Sequence, residues 1–145
     1  MQPVLLILLV GLVGGIAVGI QSPLASLISQ RLGILESVFI VHLGGAIAAA
    51  IPLLFLAGGN LSRWHTLPWY AIGAGVFGLL VIGAVSYMIP RIGIASSIIT
   101  IVAGQLLTGA ILDHYGLLGA MVRPIDPTRI LGLLVVTLGV WLTVR

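Results

Sequence analysis

The chain has 145 residues; 60% are hydrophobic and nine carry a formal charge, six Arg and three acids. Soluble domains carry about 25% charged residues. This chain carries 6% and has a mean hydropathy of +1.31, so it cannot cover a globular surface in water and must face lipid. It has no Cys, which excludes disulfides and thiol chemistry. Its Arg residues stand singly between apolar runs, unlike the clustered cations of a nucleic-acid binder.

A helix needs about 20 apolar residues to cross the hydrocarbon core. No residue from Pro3 to Gln30 is charged, and the first span is placed at 3–32. No Lys or Arg precedes Arg31, so the basic segment of a cleaved signal is missing. Gly11, Gly15 and Gly19 recur every fourth residue and offer a helix-packing face. Pro23 cannot donate to the Gly19 carbonyl and should kink the helix. That freed carbonyl lies beside Gln21 and Ser22. Gln21 is either a contact for an uncharged solute or a hydrogen-bonding tie to a neighbouring helix.

The second span is placed at 37–57 and closed by Gly58-Gly59-Asn60. Glu36 opens it, where an acid suits the helix dipole. His42 is its one ionisable group, without a second ligand at metal spacing. It reads as an interior or pore-lining group. The third span, 67–89, contains Gly73-Ala74-Gly75-Val76-Phe77-Gly78. This fits the GxGxxG dinucleotide pattern, but the true fingerprint follows a strand and has an acid about 20 residues on. Here it lies inside an apolar run with no acid before Asp113, and close helix packing is the reading. Tyr87 is among the span's few polar groups.

Pro90-Arg91-Ile92-Gly93 links to the fourth span, 94–115, the most polar, with Ser97 and Gln105 inside it. Asp113 and His114 at its end are either capping and interfacial groups or a gate or proton-linked pair. Asp126 as N-cap and Pro127 at the first helical position open the fifth span, 127–144. Its uncharged part is short, so Arg129 and Arg145 must snorkel. Gly132 and Gly139 lie seven apart on one face, suited to packing against a second subunit. Trp64, Trp69 and Trp141 fall near span ends, where aromatic belts form. No run shows the strand alternation of a barrel.

Five spans put the termini on opposite sides. Arg63, Arg123 and Arg129 then share the N-terminal side, and Arg31, Arg91 and Arg145 the other. The positive-inside rule needs an excess, and there is none. Either another factor fixes orientation, or the chain inserts both ways and pairs with an inverted copy of itself. Such a pair would have ten helices and a site near the midplane.

The run from Gly104-Gln105-Leu106-Leu107-Thr108 through Gly109 to Asp113-His114-Tyr115-Gly116 resembles the signature of short YdcZ-type proteins of the drug/metabolite transporter superfamily. Gln21-Ser22 and the Pro90–Ala95 link are similar to that family too. Gly132-Leu133 to Gly139-Val140 resembles the last-helix dimerisation motif of small multidrug resistance transporters. The resemblance implies a bacterial inner (plasma) membrane location and an antiparallel homodimer or a paired homologous subunit. It also implies alternating access for a small solute, and names none. The multidrug transporters exchange protons through a glutamate of their first helix. Here the comparable region has Gln21, so coupling, if present, falls to Asp113 or His42.

The expected fold is an all-α integral membrane protein, one transmembrane domain over 1–145, a five-helix bundle pairing as an antiparallel dimer. The expected function is a transporter subunit with a cavity lined by Gln21, Ser22, His42, Tyr87, Ser97 and Gln105. Asp113 and His114 would be its coupling or gating groups. Gly132 and Gly139 would pack the dimer. No nucleophile, base and orienter converge in the sequence, and no catalytic group, cofactor or metal is expected. The alternatives are a non-transporting structural or regulatory subunit and a passive small-solute channel.

Overall fold

The computed structural model describes residues 4–56 and 59–145. Pro3, Ala57 and Gly58, at the expected ends of the first two spans, lie outside the described residues. All regular structure among the described residues is helical. The long helices are α1 (Val4–Leu32), α2 (Ile34–Phe55), α4 (Ala74–Ile92), α5 (Ile94–Tyr115) and α6 (Pro127–Val144), and α3 (Trp69–Ile72) is a single turn before α4. A 3-10 segment, Leu61–Thr66, joins α2 to α3.

Most boundaries follow the chain's punctuation. Asp126 caps α6, its Oδ1 accepting from the Arg129 N–H at 2.8 Å, with Pro127 at the first helical position. Gly116 ends α5 in the left-handed conformation (φ 63°). A side chain there would also collide with Val122. Several boundaries differ from expectation. α4 continues through Pro90 to Ile92, beyond the expected end of the third span at 89, because a proline four residues from its partner removes one helical bond without stopping the helix. α2 starts at Ile34 rather than Ser37, because Gly33 alone makes the turn. The third span is divided after Ile72, so Gly73 of the glycine pattern terminates a turn.

The chain forms two compact units, Met1–Tyr87 and Met88–Arg145. In the first, α1 packs along α2, and the Ser37 hydroxyl donates to the Ala25 carbonyl at 2.8 Å. The His42 imidazole lies against Gly78 of α4, where a Cβ would meet it. Gly78 thus serves close packing, as the glycine spacing implies. Gly11, Gly15 and Gly19 are open: among the described residues, no atom beyond the helix's own backbone lies within 4 Å of a Cβ position. In the second unit, α5 and α6 run antiparallel. The Ser96 hydroxyl donates to the Thr143 carbonyl at 2.9 Å. Ile99 sits 3.7 Å from the Cβ position of Gly139.

Large apolar side chains are on the outside; Phe55 and Leu54, for example, are 87% and 80% exposed. The residues shielded inside are mostly small: Ser22, Ala25, Ser26, Ser37, Ser96 and Ser97, with Ile82, Val85 and Ser86. A water-soluble fold is arranged the other way. Lipid is as apolar as Leu, so helices associate by close approach of small residues and by hydrogen bonds.

The two one-residue links are alike in detail. Arg31-Leu32-Gly33-Ile34 and Arg91-Ile92-Gly93-Ile94 stand 60 positions apart. Gly33 (φ 119°, ψ 162°) and Gly93 (φ 81°, ψ 170°) both occupy a region open almost only to glycine. Each glycine carbonyl accepts from the serine N–H four residues on, Ser37 at 3.1 Å and Ser97 at 3.2 Å. Both serines are fully buried. The buried positions Ser22, Ala25 and Ser26 before the first link recur as Ile82, Val85 and Ser86 before the second.

Candidate functional site

Gln105, Gly109 and Asp113 follow at four-residue intervals and share one face of α5. Arg129, Gly132 and Val136 share one face of α6. These faces meet because small residues at Gly109, Ala110 and Gly132 hollow out the contact between antiparallel helices. The result is a groove of about 460 Å³ with apolar walls. Gln105 is its polar group along the wall, and the Asp113–Arg129 pair closes one end.

That end is the most polar part of the second unit. Arg129 Nη2 donates to Asp113 Oδ2 at 3.4 Å, with side chains 30% and 38% exposed. Arg129 Nη1 donates to the Arg123 carbonyl at 3.1 Å, and the Arg123 N–H donates to the Asp113 carbonyl at 2.8 Å. The Ile125 N–H donates to His114 Nδ1 at 3.0 Å. That nitrogen is therefore the acceptor, and the neutral ring carries its proton on Nε2. Asp113 and His114 thus bind the segment between α5 and α6 to the groove's mouth. A single long contact between half-exposed groups contributes little to stability, about 0–1 kcal/mol. It is therefore easily exchanged for another partner.

The other residues singled out by sequence lie elsewhere. Gln21, Ser22, His42 and Tyr87 belong to the first unit. Gln21 is exposed, while its neighbour Ser22 is buried and donates to the Val18 carbonyl at 2.8 Å. His42 Nδ1 bonds the Val38 carbonyl at 2.8 Å, so Nδ1 carries the proton and Nε2 is left as an acceptor. Tyr87 is 61% exposed. Ser97 is fully buried and donates to the Gly93 carbonyl at 2.6 Å. Gly132 lines the groove, whereas Gly139 faces α5. Arg129 is the residue that sequence reasoning assigned to the membrane surface alone. Its signal was an opposite charge to Asp113 across a short helical hairpin. Among the described residues no three His, Cys, Asp or Glu side chains gather as metal ligands would.

A family model described as "Putative inner membrane exporter, YdcZ" matches residues 6–142. The chain belongs to the YdcZ family. Its five long helices agree with that family, which is one of inner-membrane exporters and not of enzymes. No curated protein and no solved structure matches it.

Proposed function

We propose that this chain is a transporter subunit that moves a small solute across the inner membrane by alternating access, as an antiparallel dimer inserted in both orientations. The observation that carries the reading is the α5–α6 groove, with Gln105 on its wall and the exchangeable Asp113–Arg129 pair at its mouth, in a chain of an exporter family. Gln105 is the proposed solute contact, and Asp113, with His114 beside it, the gate. Gln21, His42 and Tyr87, with Ser22, are the proposed polar groups of the first unit, and Ser97 is one of the second. The odd number of spans and the even split of Arg support an inverted pair. The open stripe of Gly11, Gly15 and Gly19 and the open side of Gly132 give a second copy a place to approach.

The test is flux in liposomes holding the purified protein, with ribitol, glutamine, choline, benzoate and tetraphenylphosphonium as one solute per chemical class. Transport predicts saturable flux and counterflow, lost in Gln105→Leu while the dimer persists. Unsaturable flux would indicate a channel, and no flux a structural or regulatory subunit. Orientation is read separately, from a tag at the C-terminus. Detection of every copy on one side only would remove the dual insertion.

A further inference from the structure

Ser86 is the exception among the buried serines. The hydroxyls of Ser22, Ser37, Ser96 and Ser97 all donate to carbonyls, and Ser26 Oγ accepts from Gln30 Nε2 at 3.1 Å. Ser86 is 7% exposed, and its Oγ has no partner among the described residues. A helical serine can ordinarily turn back to the carbonyl four residues earlier, as Ser22 does to Val18. Ser86 does not. Its main chain is unusual as well. Pro90 stands four residues on, inside α4, and has no N–H to give to the Ser86 carbonyl. One buried residue therefore holds both an unused hydroxyl and a carbonyl without its helical donor.

The first link shows what is missing. Ser26 occupies the same place relative to Gly33 that Ser86 occupies relative to Gly93. The residue four positions after Ser26 is Gln30, whose amide reaches back to it. The residue four positions after Ser86 is Pro90, which has no such group. A buried polar atom without a bond is costly, and among the described residues no group bonds the Ser86 hydroxyl.

We propose that the Ser86 hydroxyl and the carbonyl freed by Pro90 form a hydrogen-bonding subsite for the transported solute, taking a neutral group that both donates and accepts, a hydroxyl or a primary amide. The subsite rests on the transport reading above. The chemistry follows from the two atoms. The carbonyl accepts one hydrogen bond and the hydroxyl donates one, which pairs with a group of one donor and one acceptor. An anion could use the hydroxyl alone, beside a repelling carbonyl. A bare metal ion needs about six oxygen ligands, and two are offered.

The absence of Cys makes each single cysteine a unique probe. Ser86→Cys and Ser26→Cys in liposomes are treated with the hydrophilic thiol reagent 2-(trimethylammonium)ethyl methanethiosulfonate. The subsite predicts that position 86 reacts at least tenfold faster than position 26. Equal, slow reaction at both overturns it. Two further variants separate site from packing. Ser86→Ala keeps or raises the melting temperature, since it removes an unbonded hydroxyl, yet loses at least tenfold in flux of any neutral panel solute the wild type carries. Pro90→Gln restores the amide of the first link and is expected to raise the melting temperature and slow labelling at a cysteine in position 86. Wild-type flux that Ser86→Ala leaves unchanged sinks the subsite alone. Absence of wild-type flux sinks the transport reading, and the labelling then still decides whether solute-sized polar molecules reach Ser86.

Discussion

The hairpin of α1 and α2 and the hairpin of α5 and α6 solve the same packing problem differently. The first closes around tucked serines: Ser22 and Ser37 turn their hydroxyls onto Val18 and Ala25 carbonyls, and Ser26 is met by Gln30. The second meets tightly at one end, through Ser96 and Thr143, and parts at the other into a groove that Asp113 and Arg129 bridge. Small residues are present in both. What separates them is where the spare polar groups are left. In α1–α2 most are consumed by backbone carbonyls, whereas in α5–α6 Gln105 and the ion pair remain available. Helix contact thus consumes most polar side chains of the first hairpin and leaves those of the second uncommitted.

The largest effects should come from the links. Gly33→Ala and Gly93→Ala each force a side chain into a glycine-only region, at about 1–3 kcal/mol. A Cβ at Gly33 would also meet the Glu36 carboxylate, while the space at Gly93 is open. Thermal unfolding in detergent should therefore rank Gly33→Ala below Gly93→Ala; equal losses would mean that backbone conformation alone matters. Next comes Gly78→Ala, which must displace the His42 ring and is expected to cost about 1–3 kcal/mol by overpacking. Gly75→Ala, with nothing within 4 Å, is its neutral control in the same melting experiment. Asp126→Ala removes the α6 cap and should cost about 1 kcal/mol, read as a lower melting temperature with the α1–α2 contact intact by crosslinking. The smallest effect on stability belongs to Asp113→Asn and Arg129→Gln, under about 1 kcal/mol each. Both should nonetheless reduce flux in liposomes, and the exchanged pair Asp113→Arg with Arg129→Asp should recover part of it. A pair that matters to melting and not to flux would be a staple for the segment after α5.

Five long helices could be read from sequence because the bilayer imposes one length and one composition on every crossing. Asp126 and Pro127 at the head of α6 were readable because capping is decided by neighbours in the chain. The groove was not. It depends on Asp113 and Arg129, on different helices, meeting with Gly109 and Gly132 between them, which no local pattern encodes. The split at Gly73 was hidden for another reason: hydropathy runs unbroken across it. The agreement between the two links is partly in the sequence, in Arg-Leu-Gly-Ile and Arg-Ile-Gly-Ile. Its stronger half, the matching set of buried positions, emerges only once burial is known, because serine and alanine carry no apolar period. Of the expected cavity residues, Gln105 lines the groove, together with Asp113 of the expected gate, while Gln21 and Ser22, adjacent in sequence, point to different surroundings.

The small-residue interior changes which substitutions such a chain can accept. In a soluble protein, truncating a large buried side chain does the damage. Here most of the buried places hold small side chains, Ile82 and Val85 apart, so damage comes chiefly from enlargement. A leucine at Ser37 or Ser97 would raise hydrophobicity and still separate the helices. Exchanges of Leu, Ile, Val and Phe along the perimeter change little beyond the shape shown to lipid.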